Sequence, residues 1–266
     1  NIVVNMATNA SEGQKTYNTL LKACENFLRL KPPMAGIVRQ DPRVKETIRS
    51  QTPLVHVHYY ASHPQSFYGD GRASYDVPGI ARERLQNETG VFQVYFNGCG
   101  GDVAFGKYND GSREARKRLA ERVYNGMKRS LASIKRTKVT SLEWRVLPVA
   151  FGTNRAPAFS SDACRRVLEN PRSADSARLK AAVTLAWNQR VARGEKVELG
   201  CLVVGGVKIL HLPGEPFVFY QLAAQKLDTG SFVAVAGHGD CGMSYIGNDV
   251  IFSDVGGYEQ TWALSG

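Results

Sequence analysis

The chain has 266 residues, 43% of them hydrophobic and 22% charged, which supplies a full-sized core and excludes a disordered polymer. Its apolar runs, such as residues 231–237 and 146–152, fall far short of the roughly 18 to 20 residues that a membrane-spanning helix needs. The net charge of +10 is concentrated in one segment and therefore speaks to a local surface, not to the whole molecule.

In chain order, the spacing of Tyr17, Leu20, Leu21, Cys24, Phe27 and Leu28 predicts a first helix over Gly13 to Leu30, stopped by Pro32-Pro33. Leu54 to Ser62, rich in Val, Tyr and His, reads as a strand. Val77-Pro78 opens a short helix to about Glu88, and Val91 to Asn97 is a nearly all-apolar strand of the kind buried on both faces. That strand runs into Gly98-Cys99-Gly100-Gly101-Asp102. From Ser112 to Lys138 there are ten Lys or Arg against two Glu, while Ala115, Leu119, Val123, Met127 and Leu131 recur every four residues. This is an amphipathic helix with a basic wet face. The face reads as solvated or as attracted to an anionic surface such as lipid, and least as a nucleic-acid patch, because Tyr124 is the one aromatic among its ten cations. Leu142 to Val149 is a further strand and Ala177 to Ala192 a further helix. Cys201 to Val204 and Val207 to Leu212, joined by Gly205-Gly206, form a hairpin. A helix follows from Pro216 to Lys226, and then a strand from Phe232 to Ala236.

Helices and strands alternate without repeats or a linker, so the expected fold class is α/β: a mixed β-sheet flanked by helices, with active-site loops at the strand carboxyl ends. The chain opens at Asn1 without a Met or a signal peptide. The expected organisation is accordingly one catalytic-type domain over residues 1–266, cut at its N-terminus and continuing past its C-terminus. Five cysteines, without a CxxC pair, argue against a disulfide framework while leaving one or two bridges open.

Residues able to do chemistry follow these strands: His63 the first, Asp102 the second, Glu215 the hairpin's second arm, and His238, Asp240 and Tyr245 the last. Glu215, just before Pro216, reads as a helix N-cap held ionised by the helix dipole, or as a hard ligand for a divalent cation. His63, made extended by Pro64, is a core histidine or a metal ligand. His56 and His58 share one strand face and are packing residues or a chelating pair. Asp102 ends a glycine-rich turn of the type that cradles anions or lets backbones approach. Neither GxGxxG, a phosphate loop nor a GxSxG elbow is present, which disfavours nucleotide binding and serine hydrolase chemistry and favours metal-assisted hydrolysis.

Read together, these loops carry a resemblance. Tyr59-Tyr60-Ala61-Ser62-His63-Pro64, Ser74-Tyr75-Asp76-Val77-Pro78-Gly79, Asn97-Gly98-Cys99-Gly100-Gly101-Asp102-Val103, Leu212-Pro213-Gly214-Glu215-Pro216-Phe217, and Gly242-Met243-Ser244-Tyr245-Ile246-Gly247 with Gly257-Tyr258-Glu259 stand in order. From about Pro53 to Glu259 the chain resembles the catalytic domain of the neutral/alkaline ceramidases, especially their ceramidase-like bacterial relatives. The resemblance implies a zinc-dependent hydrolase that cleaves the N-acyl amide bond of a sphingolipid or related compound with metal-activated water. It implies Zn2+ held by His63, Glu215 and Tyr245, with Tyr245 and Asp102 at the catalytic centre and a lipid or small-molecule substrate. It also implies a secreted or periplasmic protein. The family's first histidine ligand has no counterpart, since His56-Val57-His58 lies in a different motif. The family's active-site serine position is Ala104. These departures leave as the alternative a non-catalytic homologue that binds a ligand or a membrane surface.

Overall fold

The computed structural model describes residues 2–7, 9–39, 41–67, 71, 73–239, 242–253 and 257–265. Two compact units divide the chain, residues 1–56 and 57–266. In the first, β1 (Ile2–Ala7) leads through α1 (Ala10–Ala23) to β2 (Met34–Arg39), which pairs with it in parallel, and α2 (Pro42–Ser50) follows. Asn9 caps α1, its side chain accepting from the Glu12 amide at 2.9 Å. The helix continues as a π-helical turn, Cys24–Leu28, and stops at Arg29 in the left-handed region. The expected first helix is thus present with an earlier start, and Leu20 of its apolar stripe is exposed. The sequence pattern had marked none of β1, β2 and α2.

The second unit is mixed α/β. Near its start β3 (Val55–Tyr60) pairs with β4 (Phe92–Asn97), and α3 (Asp76–Thr89) lies between them in sequence. The expectation that β4 is buried on both faces is corrected here. Phe92 and Phe96 are exposed, Phe96 stacking on Tyr59, and the fully buried side chain of this strand is Gln93. Helix α3 covers the Gln93 side of the strand, where the Gln93 amide donates to Gln86 Oε1 and its side chain to Thr89 Oγ1, and the alternation of a strand turns Phe92 and Phe96 the other way.

The basic helix, α4 (Arg113–Ala132), starts at Ser112, whose hydroxyl accepts from the Ala115 amide at 3.0 Å. Leu119 and Met127 are buried against α3 through Val77, Ala81 and Leu85, with Val123 and Leu131 half-buried beside them, and Ala115 is buried as well. The phase of the stripe is as expected. Its cations are exposed except for the half-buried Arg116, and Lys135, Arg136 and Lys138 follow the helix end.

The main sheet runs β5 (Leu142–Val149), β6 (Val197–Val204), β7 (Val207–Pro213) and β9 (Phe232–Gly239), in that spatial order. The first two contacts are antiparallel and the last is parallel. The β6–β7 hairpin closes on Val204 opposite Val207 around Gly205, which has φ +56°. Helices α5 (Ser161–Glu169) and α6 (Asp175–Ala192) separate β5 from β6 in sequence. A core of Phe159, Trp187, Val197, Met243 and Leu264 joins α6 to β6 and to the later loops. After β7 the chain makes a two-residue strand, β8 (Glu215–Pro216), and then α7 (Val218–Leu227), which crosses over to β9. β8 pairs in parallel with β10 (Tyr245–Ile246). Among the described residues no helix is long and apolar enough to cross a membrane.

Candidate active site

Three backbone pairings assemble the site. Beyond β3, His63 is extended and bridges Ala104, its amide donating to Val103 O at 2.7 Å. Beyond β7, Glu215 enters β8 and becomes the direct register partner of Tyr245. The Glu215 amide donates to Ser244 O at 2.8 Å, and the Phe217 amide to Ile246 O at 3.0 Å. Gly214 (φ +58°) and Ser244 (φ 60°) both take left-handed backbone to bring these strands together. A β-carbon on Gly214 would overlap Ser244 O, so glycine is required there on two counts.

Glu215 is therefore not the cap of α7. The helix begins at Val218, and the carboxylate on its first amide belongs to Asp102, whose Oδ1 accepts from Val218 N at 2.7 Å. The glycine-rich turn before Asp102 has a structural use too. Its Gly101 amide donates to Pro216 O at 3.0 Å, and a β-carbon on Gly101 would overlap Glu215 O. An amide already committed to a protein carbonyl cannot cradle an anion, so this turn is a chain-to-chain contact.

The side chains converge accordingly. His63 Nε2 lies 3.0 Å from Glu215 Oε2, and the His63 and Tyr245 ring centroids are 6.1 Å apart. On the other side of the imidazole, Nδ1 lies 3.3 Å from Val103 O, an arrangement that puts the proton on Nδ1 and turns the Nε2 lone pair toward Glu215. A lone pair and a carboxylate at that distance repel unless a proton or a metal cation lies between them. The pair's titration shows the same demand for positive charge. The hydrogen bond to Glu215 raises the His63 pKa above the usual imidazole value against the opposing effect of burial. The hydrogen bond to His63 in turn holds Glu215 below the usual carboxylate range, aided by the nearby His238 and the Tyr245 phenol. Tyr245 is buried, and burial first, with the Tyr258 hydroxyl and Glu215 adding to it, pushes its phenol far up. Without a cation it stays a neutral phenol.

The donor set is one imidazole nitrogen, one carboxylate and one phenol oxygen. Among the described residues no group of three or more His, Cys, Asp and Glu side chains gathers, here or elsewhere, so the third donor of this set is a phenol. Nitrogen and oxygen donors from three residues, leaving a further position open, suit a catalytic zinc site. His58 is not part of it: buried in β3, its Nε2 is 2.8 Å from Gln93 Oε1. Cys99 is buried and its thiol pushed up to about 12 by desolvation, so it is no nucleophile. Cys24, Cys99, Cys164 and Cys201 are free thiols; Asp240 and Cys241 lie outside the described residues.

With the geometry in view, comparison with solved structures is informative. The chain matches the crystal structure of neutral ceramidase from Pseudomonas aeruginosa with a TM-score of 0.57 at 11% identity, over 80% of this chain and 41% of that one. The fold is ceramidase-like. A second solved structure, a ceramidase complexed with C2, matches with a TM-score of 0.56 at 12% identity, over 80% of this chain and 43% of that one. The chain thus spans less than half the length of either ceramidase, and at this identity the fold is what they share. No protein-family model matches the chain, and no curated protein matches it in sequence.

Two participants escaped the sequence reading. The Tyr258 hydroxyl lies 2.6 Å from that of Tyr245, with the rings edge to face. Asn97, at the end of β4, spans three segments: with its amide nitrogen donating to Ser62 O (2.7 Å) and Tyr60 O (3.1 Å), its oxygen accepts from His238 Nε2 at 3.1 Å. Both stood in segments recognised as significant, but spacing along the chain singles out neither, because their partners lie 13 and 141 positions away.

Proposed function

We propose that this chain carries the catalytic centre of a zinc-dependent hydrolase of the neutral-ceramidase type, acting on the N-acyl amide bond of a sphingolipid or a related compound. The observation that supports it most directly is the 3.0 Å approach of His63 Nε2 to Glu215 Oε2, with Tyr245 paired to Glu215 in register. This is a place built for a cation. The ceramidase-like fold agrees with the reading.

In this reading His63, Glu215 and Tyr245 hold Zn2+, which when bound would act as a Lewis acid and bring a water's pKa toward neutrality. The chain's own contributions are positional and electrostatic. Val103 O fixes the imidazole so that Nε2, not Nδ1, is presented. Glu215 supplies the anionic charge that balances a divalent ion. Tyr258 holds the Tyr245 hydroxyl from the side away from the core, with Tyr258 itself exposed and Tyr245 buried. Asp102 secures the start of α7 and with it the segment Glu215–Phe217. With Ala104 next to His63 in the bridge, no serine hydroxyl is available at that position to assist the reaction.

The decisive experiment is a zinc titration of the protein alongside its Glu215→Ala variant, with release of fatty acid from an N-acyl sphingosine followed in parallel. The expected result is one equivalent of zinc bound by the wild type, with binding and hydrolysis both lost in Glu215→Ala, since a ligand and its charge go together. Tight zinc binding that survives Glu215→Ala would end this reading. Zinc binding without hydrolysis of any N-acyl lipid would favour the non-catalytic alternative.

A further inference from the structure

A second concavity, sharing no residue with the His63–Glu215–Tyr245 cluster, opens between α4, β3 and the first residues of β7 and β9. It encloses about 690 Å³, within the range of roughly 300–1,000 Å³ that ordinary ligand pockets occupy. Its wall is apolar and aromatic, from Phe105, Val123, Met127 and Ile209 among others. Two of its polar groups already have protein partners: His58 Nε2 faces Gln93 Oε1 at 2.8 Å, and the Tyr95 hydroxyl donates to Tyr60 O at 3.1 Å. Two cations line the groove, Arg122 and Arg129, both exposed. Neither is in an ion pair among the described residues, although most of the exposed arginines around them on α3, α4 and β5 that do have partners hold a carboxylate. The Arg122 guanidinium is held 4.7 Å from the Tyr108 ring centroid, with Lys107 Nζ 5.6 Å from the same ring.

Gly126 adds an independent observation. It sits in the interior of the 20-residue α4, one turn beyond Arg122 and on the groove. A glycine in a helix interior is destabilising relative to alanine. The usual compensation is close approach of another backbone, yet a β-carbon on Gly126 would meet no atom within 4 Å. The space it leaves belongs to the groove.

We infer that this groove binds a single-chain amphiphile with an anionic head, the chain lying along the apolar wall past Gly126 and the carboxylate or phosphate meeting Arg122 and Arg129. The apolar wall supplies the affinity for a chain, and two uncompensated guanidiniums on one helix face select the sign of the head. The inference stands apart from the hydrolase reading, since it uses none of the same residues.

The test is displacement of a dansylated undecanoate from the intact protein by monomeric competitors below their micellar concentrations. Dodecanoate and dodecyl phosphate should both displace it; dodecanol and dodecylammonium should be weaker by about tenfold or more, the worth of one charge-assisted contact. Inorganic phosphate alone should not compete, which separates a chain-bearing head from a free anion. Gly126→Leu should weaken dodecanoate by about tenfold or more while melting no lower than wild type, because leucine is the better helix former and enters open space. Arg122→Gln with Arg129→Gln should weaken dodecanoate by a similar factor and leave dodecanol unchanged. Dodecylammonium binding as well as dodecanoate, or Gly126→Leu binding like wild type, would overturn the inference. So would binding seen only on anionic vesicles and indifferent to Gly126→Leu, which would assign the attraction to the basic face of α4 as a whole.

Discussion

Replacing Asp102 separates a structural carboxylate from a chemical one. Helix α7 has no cap of its own, since Phe217 occupies the N-cap position, and its first amide is satisfied by Asp102 from 116 positions away. Asp102→Ala leaves that amide to water and removes a negative charge from the positive end of the helix dipole. A lost cap costs about 1 kcal/mol and a lost dipole partner about 0.3 to 1 kcal/mol at exposed sites, so about 1 to 2 kcal/mol in total. Asp102→Asn keeps an acceptor and loses only the charge, for about 0.5 kcal/mol. All three tryptophans, Trp144, Trp187 and Trp262, lie in the unit of residues 57–266, so their fluorescence in urea reports that unit alone. With a slope of about 2 to 3 kcal/mol per molar urea, Asp102→Ala should lower the midpoint by about 0.5 M and Asp102→Asn by about 0.2 M. If Asp102→Asn removed hydrolysis as completely as Asp102→Ala with neither midpoint displaced, the carboxylate would be acting on substrate and the capping argument would fail.

Other expectations test the remaining contacts. Gly101→Ala should destabilise by about 1 to 3 kcal/mol in the same assay, because its β-carbon meets the Glu215 carbonyl oxygen, whereas Gly106→Ala, with open space around it, should stay within about 0.5 kcal/mol of wild type. In metal-free protein the His63 imidazole, followed by NMR, should titrate above 6.5 and fall back in Glu215→Gln; an unchanged midpoint would refute the pairing. The sign for stability follows. The raised His63 stabilises fully below pH 6.5 and fades as pH rises through its folded value, while the lowered Glu215 stabilises above pH 4.5 and fades as pH falls through its own, so the pair contributes most between about pH 4.5 and 6.5. Tyr245→Phe keeps the ring in its core with Ile251 and Ala263, forfeits the hydrogen bond to Tyr258, and should cut turnover on an N-acyl substrate by about 100-fold or more at a cost of about 1 kcal/mol in stability. Full activity in that variant would remove Tyr245 from the chemistry.

Much of the second unit was legible along the chain. The stripe of α4 repeats every four residues, and that period alone oriented the helix with Leu119 and Met127 inward. Gly205-Gly206 between two β-branched runs located the β6–β7 hairpin to the residue, because a two-residue connection admits few geometries. In the first unit only α1 was legible, from the apolar spacing of Tyr17, Leu20 and Leu21, although Leu20 is exposed; the short strands β1 and β2, which pair with each other across it, carried no signal of their own.

The site divides in the same way. His63, Glu215 and Tyr245 stood out as reactive side chains beyond strand ends, and their motifs resembled those of the ceramidases. What each residue does locally was decided elsewhere. Glu215 beside a proline at the start of a helix reads as a cap, and only the pairing of β8 with β10, thirty positions apart in sequence, turns it into the neighbour of Tyr245. That pairing freed the cap position for Asp102, and in β4 the side that faces α3, not the apolar composition, decided that Gln93 is buried while Phe92 and Phe96 are exposed. Period, turn chemistry and helix signals are set by residues within a few positions of one another, so sequence by itself determined the elements and the loops that carry chemistry. Register between distant segments depends on which backbone groups remain unpaired once those elements pack. Only the tertiary structure, in which His63 meets a carboxylate 152 positions away, decided that these side chains form one site.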